Sequence, residues 1–173
     1  MKAYFYIAIL ALATACIPHN KPTNPTHMQA DSIYTTLDLR TYGDYYHSGH
    51  QVYALDLLSD GLEYDSAGYI IGSGSNLYLS DIFTHPDSTA GIPAGTYHMD
   101  STAQEGCFLR GMEFEGNITG TYLLLIDESQ IQKIVLFTSG HMTADYTHGD
   151  TLFTFNLYTA DSTHYHAIYR NLR

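Results

Sequence analysis

The chain has 173 residues, of which 18 are Asp or Glu and 7 are Lys or Arg, for a formal net charge of −11. That balance argues against a nucleic-acid partner, because neutralising phosphates takes clustered Lys and Arg. The length supports one domain with a real core and excludes two comfortable ones.

In chain order, Met1-Lys2 and the apolar run Ala3 to Ala15 read as a secretory signal peptide over residues 1–15. The run Leu12-Ala13-Thr14-Ala15-Cys16 resembles the lipobox of bacterial lipoproteins. The resemblance implies a diacylglycerol on the Cys16 thiol and, at about 0.8 kcal/mol per buried methylene, stable anchoring in the outer membrane. The competing reading, a buried N-terminal helix, lacks the polar face such a helix carries. Acidic residues after the lipidated Cys help route lipoproteins to the cell surface in some phyla. Pro18, His19, Asn20 and Lys21 stand there instead, which leaves surface-facing and periplasm-facing orientations both open. Residues 16–30, rich in Pro, Asn, Thr and His, read as an extended tether, with a single domain following over 31–173. With Cys16 acylated, Cys107 has no disulfide partner within the chain and reads as a small buried hydrophobe. Arg110 alone is a thin cationic neighbourhood for a catalytic thiol.

Ile33 to Leu39 alternates as a first strand, and His47-Ser48-Gly49-His50 reads as a turn before a second strand from Val52 to Leu58. Asp60-Gly61 breaks that strand. Tyr69 to Ile71 and Leu77 to Phe83 flank Gly72-Ser73-Gly74-Ser75-Asn76, a hairpin or loop. It is not a phosphate cradle, since no helix and no Lys follow. Ile92 to Tyr97 is a turn entering a strand, and Phe108 to Phe114 and Ile118 to Asp127 are two more strands. Leu123 to Ile126 lacks polar alternation, which predicts burial on both faces at the centre of a sheet. Ile131 to Arg173 reads as an antiparallel meander with the cleanest alternation in the chain. Phe153, Phe155 and Leu157, then Tyr165, Ala167 and Tyr169, face the core, and Thr159 to Ser162 forms the turn between them. The expected fold is all-β, an antiparallel sandwich or barrel of about 8 to 10 strands.

The order Tyr42-Gly43-Asp44-Tyr45-Tyr46, Ile92-Pro93-Ala94-Gly95-Thr96-Tyr97, Gly120-Thr121-Tyr122, Thr138-Ser139-Gly140 and a final Asp-turn-strand resembles small lipoproteins abundant in Bacteroidetes. The resemblance spans most of the mature domain and implies an envelope location and an all-β fold, with no catalytic residues to carry over. The chain departs from that pattern near its end, with Ser162-Thr163 and Ala167-Ile168-Tyr169 where the family tends to have Gly-Thr and Gly-Ser-Tyr. A second resemblance, to the O-glycosylation acceptor of that phylum, falls on Ser32, Ser66, Ser88, Ser101, Thr151 and Ser162, each preceded by Asp. The plainer reading is that Asp-Ser and Asp-Thr are ordinary turn dipeptides.

Ten histidines invite a metal or haem. His164 and His166 lie two apart on a strand and share a face, opposite the core and beside Thr154 and Asn156. His47 and His50 flank a turn, and His98, His141 and His148 lie near Asp100, Asp145 and Asp150 in sequence. No Cys or Glu completes a recognisable ligand set. Glu113 and Glu115 would share one face of a strand at a spacing a glycosidase could use, against the plainer reading of a solvated acidic edge. No nucleophile elbow, zinc-protease helix or EF-hand loop is written in the chain. Sixteen tyrosines and no Trp make Tyr42, Tyr45 and Tyr46 the candidate surface for a sugar or protein, the remaining tyrosines being packing. The expected function is a lipid-anchored envelope protein with a non-catalytic binding or assembly role. The alternatives are a small hydrolase with a dispersed carboxylate or His/Asp site, and a metal- or haem-binding lipoprotein.

Overall fold

A computed structural model describes residues 32–147 and 149–171. The signal peptide, Cys16 and the tether therefore lie outside the described residues, as does His148. Every regular element described is a strand: β1 (Ser32–Gly43), β2 (Gln51–Ser59), β3 (Leu62–Tyr64), β4 (Ile70–Gly72), β5 (Gly74–Thr84), β6 (Gly95–Asp100), β7 (Cys107–Leu109), β8 (Met112–Phe114), β9 (Asn117–Thr119), β10 (Thr121–Asp127), β11 (Gln130–Leu136), β12 (Ser139–Asp145), β13 (Thr151–Tyr158) and β14 (His164–Asn171).

The fold is all-β, and of the two expected architectures the barrel forms. Eight strands close a ring in the order β5-β2-β1-β14-β13-β12-β6-β7, and β7 returns to β5 where Phe108 pairs with Ile82. Two seams, β1 with β14 and β6 with β7, are parallel, so the barrel is mixed where the sequence suggested an antiparallel one. No turn joins β14 to β1, so turn geometry does not dictate their relative direction. Between β6 and β7 the loop doubles back and sets Cys107 beside His98. Closure removes the open edges of these eight strands.

Alternation fills the interior: Leu55 and Leu57 of β2, Leu77 and Leu79 of β5, Phe153 and Phe155 of β13 and Ala167 of β14 are all buried in one cluster. The hydroxyls of Tyr34 and Tyr165 meet at 2.6 Å within it, so each buried phenol has a partner. β2 is buried on both faces from Val52 to Leu58. Its outer side is covered by a small cluster in which Leu58, Leu62 and Ile126 are packed on by Tyr64, Ile70 and Leu124. Two-sided burial thus belongs to β2, whose apolar run is disguised by Asp56, a buried carboxylate held by Arg40 and Asn76. β10 was expected at the centre of the sheet, but it lies next to the terminal strand β11, and Leu124 and Leu125 are only half-buried.

Other boundaries also move. Phe108 to Phe114 divides into β7 and β8, and Ile118 to Asp127 into β9 and β10. The break falls at Gly120, whose φ is +77° and where an added Cβ would lie 1.9 Å from the Arg110 carbonyl oxygen. Gly72 pairs with Leu62 in a β3-β4 ribbon, so the glycine-rich stretch is not a hairpin loop. The C-terminal meander begins at β12, because β11 pairs with β10 instead. Its last turn forms as expected: the Asp161 carboxylate accepts from Thr163 N–H at 3.1 Å, and Ser162 N–H donates to Thr159 O at 3.0 Å.

Candidate functional site

β5 changes partner partway along. Residues Gly74 to Leu79 pair with β10, whereas Ile82 pairs with Phe108 of β7. At the change, Ser80 and Asp81 stand opposite the single residue Ala54, because Tyr53 pairs with Ile82 and Leu55 with Leu79. This is a β-bulge, and it lets Leu79 and Ile82 both point into the core despite their odd spacing. Asp81 takes φ 54°, while the other described non-glycine residues with positive φ lie in turns. Holding a non-glycine residue there costs about 1–3 kcal/mol, and such strain gathers at functional sites.

Over this bulge lies an open cleft of about 400 Å³. Tyr78 and Tyr122, directly paired across β5 and β10, stack at 5.1 Å and form its floor. One wall is the turn after β1. The Asp44 carboxylate accepts from the N–H groups of Ser48 (2.8 Å) and Gly49 (3.1 Å), which locks the turn and presents its tyrosines. Tyr42 and Tyr45 line the cleft with ring centroids 6.4 Å apart, and Tyr45 meets Tyr46 edge-on at 5.0 Å. The opposite wall is Ile118, Thr119 and Gly120, at the base of the β8-β9 ribbon.

The cleft's polar group is Asp81. Its Oδ1 accepts from the Tyr46 hydroxyl at 3.0 Å and its Oδ2 from Ser80 Oγ at 2.8 Å. Burial, reinforced by this carboxylate, pushes the Tyr46 phenol up to about 12. Burial, then the neighbouring Tyr42 hydroxyl, raises the Tyr78 phenol, and burial raises that of Tyr122. Arg40 is engaged elsewhere, with Asp38 at 2.7 Å and Asp56 at 3.4 Å, and among the described residues no Lys or Arg lines the cleft. The arrangement offers stiff aromatic surface around a pre-oriented acceptor, which suits a ligand with apolar faces and hydroxyl donors.

Four imidazoles gather on the far wall of the barrel. His164 and His166 share the outer face with Thr154 and Asn156, as expected. Register extends that row: His98 pairs with His141, His141 with Asn156, and Asn156 with His166. His98 and His141 have ring centroids 6.3 Å apart, and the Asn156 amide bridges His141 Nε2 (3.4 Å) and His164 Nε2 (3.3 Å). His164 also stacks on Tyr158 at 4.7 Å. Among the described residues no three His, Cys, Asp or Glu side chains form a group that could hold a metal ion. His47 is exposed, whereas His50 lies against Phe83 at 6.4 Å. Asp100 caps Ser101 and Thr102, Asp145 accepts from Thr147, and Asp150 pairs with Arg170 at 3.7 Å, so these carboxylates serve turns and an ion pair.

Two sequence readings are corrected here. Glu113 lies in β8, but Glu115 sits in the following turn at φ 51°, so the two do not share a strand face; both are exposed. Cys107 is half-buried beside His98, not a core residue, and burial, with Asp100 adding to it, raises its thiol pKa, the opposite of an activated nucleophile. Of the glycosylation candidates, Ser66, Ser101 and Ser162 are exposed, whereas Ser32, Ser88 and Thr151 are half-buried. Tyr42, Tyr45 and Tyr46 are exposed as expected. Tyr78, Tyr122 and Asp81 were not anticipated, and the one sequence signal for them is the skipped alternation between Leu79 and Ile82. The chain matches no protein-family model, no curated protein and no solved structure.

Proposed function

We propose that this is a lipid-anchored protein of the bacterial outer membrane whose barrel is a non-catalytic binding module, with a glycan as the ligand of the tyrosine cleft. The observation that carries the binding role is the pairing of a tyrosine-lined concavity with a backbone-strained, pre-oriented Asp81. Sugars present apolar C–H faces that stack on aromatic rings, and hydroxyls that a fixed carboxylate accepts. Anchoring rests on the Leu12 to Cys16 lipobox, and the envelope location on the Bacteroidetes resemblance. The hydrolase alternative is weakened because Glu113 and Glu115 do not share a strand face.

The binding role is tested with the full-length lipoprotein in detergent micelles, titrated calorimetrically with soluble mannan, dextran and chitin oligomers. Binding to at least one, lost on Tyr45→Ala, is the expected result. Absence of heat with all three, or unchanged affinity in the variant, refutes the glycan reading. Anchoring is tested separately by Cys16→Ala, which is expected to move the protein from the membrane to the soluble fraction.

A further inference from the structure

Among the described residues the cleft has one charged lining residue, and its environment is unusual for a strand. Asp81 occupies the bulge of β5 with a left-handed backbone that L-residues rarely adopt, so its side chain leaves the alternation of the strand and is re-aimed. Each carboxylate oxygen already receives one hydroxyl hydrogen, from Tyr46 at 3.0 Å and from Ser80 at 2.8 Å, which orients the group. Each oxygen keeps a further lone pair, so the carboxylate, which lines the same space as Tyr42, Tyr45, Tyr78 and Tyr122, has acceptor capacity left for a ligand. Two acceptor oxygens match neighbouring hydroxyl donors on a sugar ring. They are mismatched to an acceptor-only carboxylate or sulfate.

The surroundings do not compensate for a ligand anion. Among the described residues no Lys or Arg lines the cleft, and the nearby Arg40 is neutralised by Asp38 and Asp56. The whole chain carries a net charge of −11, so its long-range field also opposes anions. Resting on the reading of the cleft as a glycan site, we propose that Asp81 is its specificity-determining residue, restricting it to neutral sugars and excluding uronates and sulfated glycans. Like-charge juxtaposition at a recognition site works mainly through such rejection of wrong partners.

The experiment uses full-length lipoprotein in detergent micelles and two probe pairs that share a backbone and differ in charge: methyl-esterified against free oligogalacturonate, and dextran against dextran sulfate. Wild-type protein is expected to bind a neutral member at least about tenfold more tightly than its charged counterpart at moderate ionic strength. Asp81→Asn keeps the shape and suits the left-handed backbone equally well, so the fold should persist, as thermal unfolding will check. In that variant the discrimination is expected to shrink to roughly threefold or less. Tyr46→Phe, which frees Oδ1 from its partner without removing the charge, should weaken neutral binding while preserving discrimination. Equal or tighter binding of a charged member by wild type overturns the proposal, as does unchanged discrimination in Asp81→Asn. Failure of every neutral and charged probe to bind instead overturns the glycan reading itself.

Discussion

Two outward faces of this barrel are each enriched in one side chain, and only one of them has the form of a binding site. On the far wall, strand register sets His98, His141 and His166 in one row with Asn156, whose amide bridges His141 and His164, and Tyr158 stacks on His164. On the near wall, the tyrosines surround a concavity in which a strained Asp81 is held with acceptor capacity to spare. Enrichment alone does not distinguish the two. What does is a broken strand pairing: β5 forks between β10 and β7, and the fork opens a cleft that a continuous sheet would have closed.

The largest effect expected is one that removes both faces together. Phe155 is fully buried, and Phe155→Ala should cost about 3–5 kcal/mol by urea unfolding. Next is Gly120→Ala, which drives a Cβ to 1.9 Å from the Arg110 carbonyl oxygen at φ +77°. A loss of roughly 1–3 kcal/mol is expected, with disruption of the cleft wall and of the proposed glycan binding. The imidazole resonances of His98 and His141 should stay in place by NMR. If they move as well, the two faces are not independent.

Alkali acts on the whole barrel by a different route. Tyr46 and Tyr97 both have phenols pushed up to about 12 from an ordinary 10.0, each chiefly by burial. Because folding raises these pKa values, the stabilisation is complete below the ordinary phenol pKa and is lost as pH climbs through the raised one. Unfolding midpoints should therefore hold up to about pH 9 and fall between about pH 10 and pH 12, with Tyr46→Phe flattening the decline. The smallest effect belongs to the histidine row. Its Asn156 hydrogen bonds are long, at 3.3 and 3.4 Å, so Asn156→Ala should cost under about 1 kcal/mol and leave cleft binding unchanged.

Much of the C-terminal architecture is legible from residues alone. Phe153, Phe155 and Leu157 alternate with Thr154 and Asn156 because a half-buried strand has a period of two, and Thr159 to Ser162 supplies the turn that follows. The same rule misreads β10, whose unbroken apolar run signals two-sided burial while β2, interrupted by Asp56, is the strand that has it. It fails there because a buried carboxylate can be satisfied by Arg40 and Asn76, partners that are remote in sequence from Asp56.

The candidate site divides in the same way. Tyr42, Tyr45 and Tyr46 stand out in the sequence because they crowd a turn capped by Asp44. Tyr78, Tyr122 and Asp81 do not, since each sits in a strand where Tyr and a polar residue are unremarkable. Alternation, turn chemistry and composition by themselves determined that this chain is all-β, acidic and rich in tyrosine. They do so because side-chain direction along a strand is a local property. The tertiary structure decided which strands close the barrel, that two seams run parallel, and that β5 forks at Asp81. Those choices depend on pairing between segments distant in the chain, where the energy lies in the fit of one strand against another and not in either strand alone.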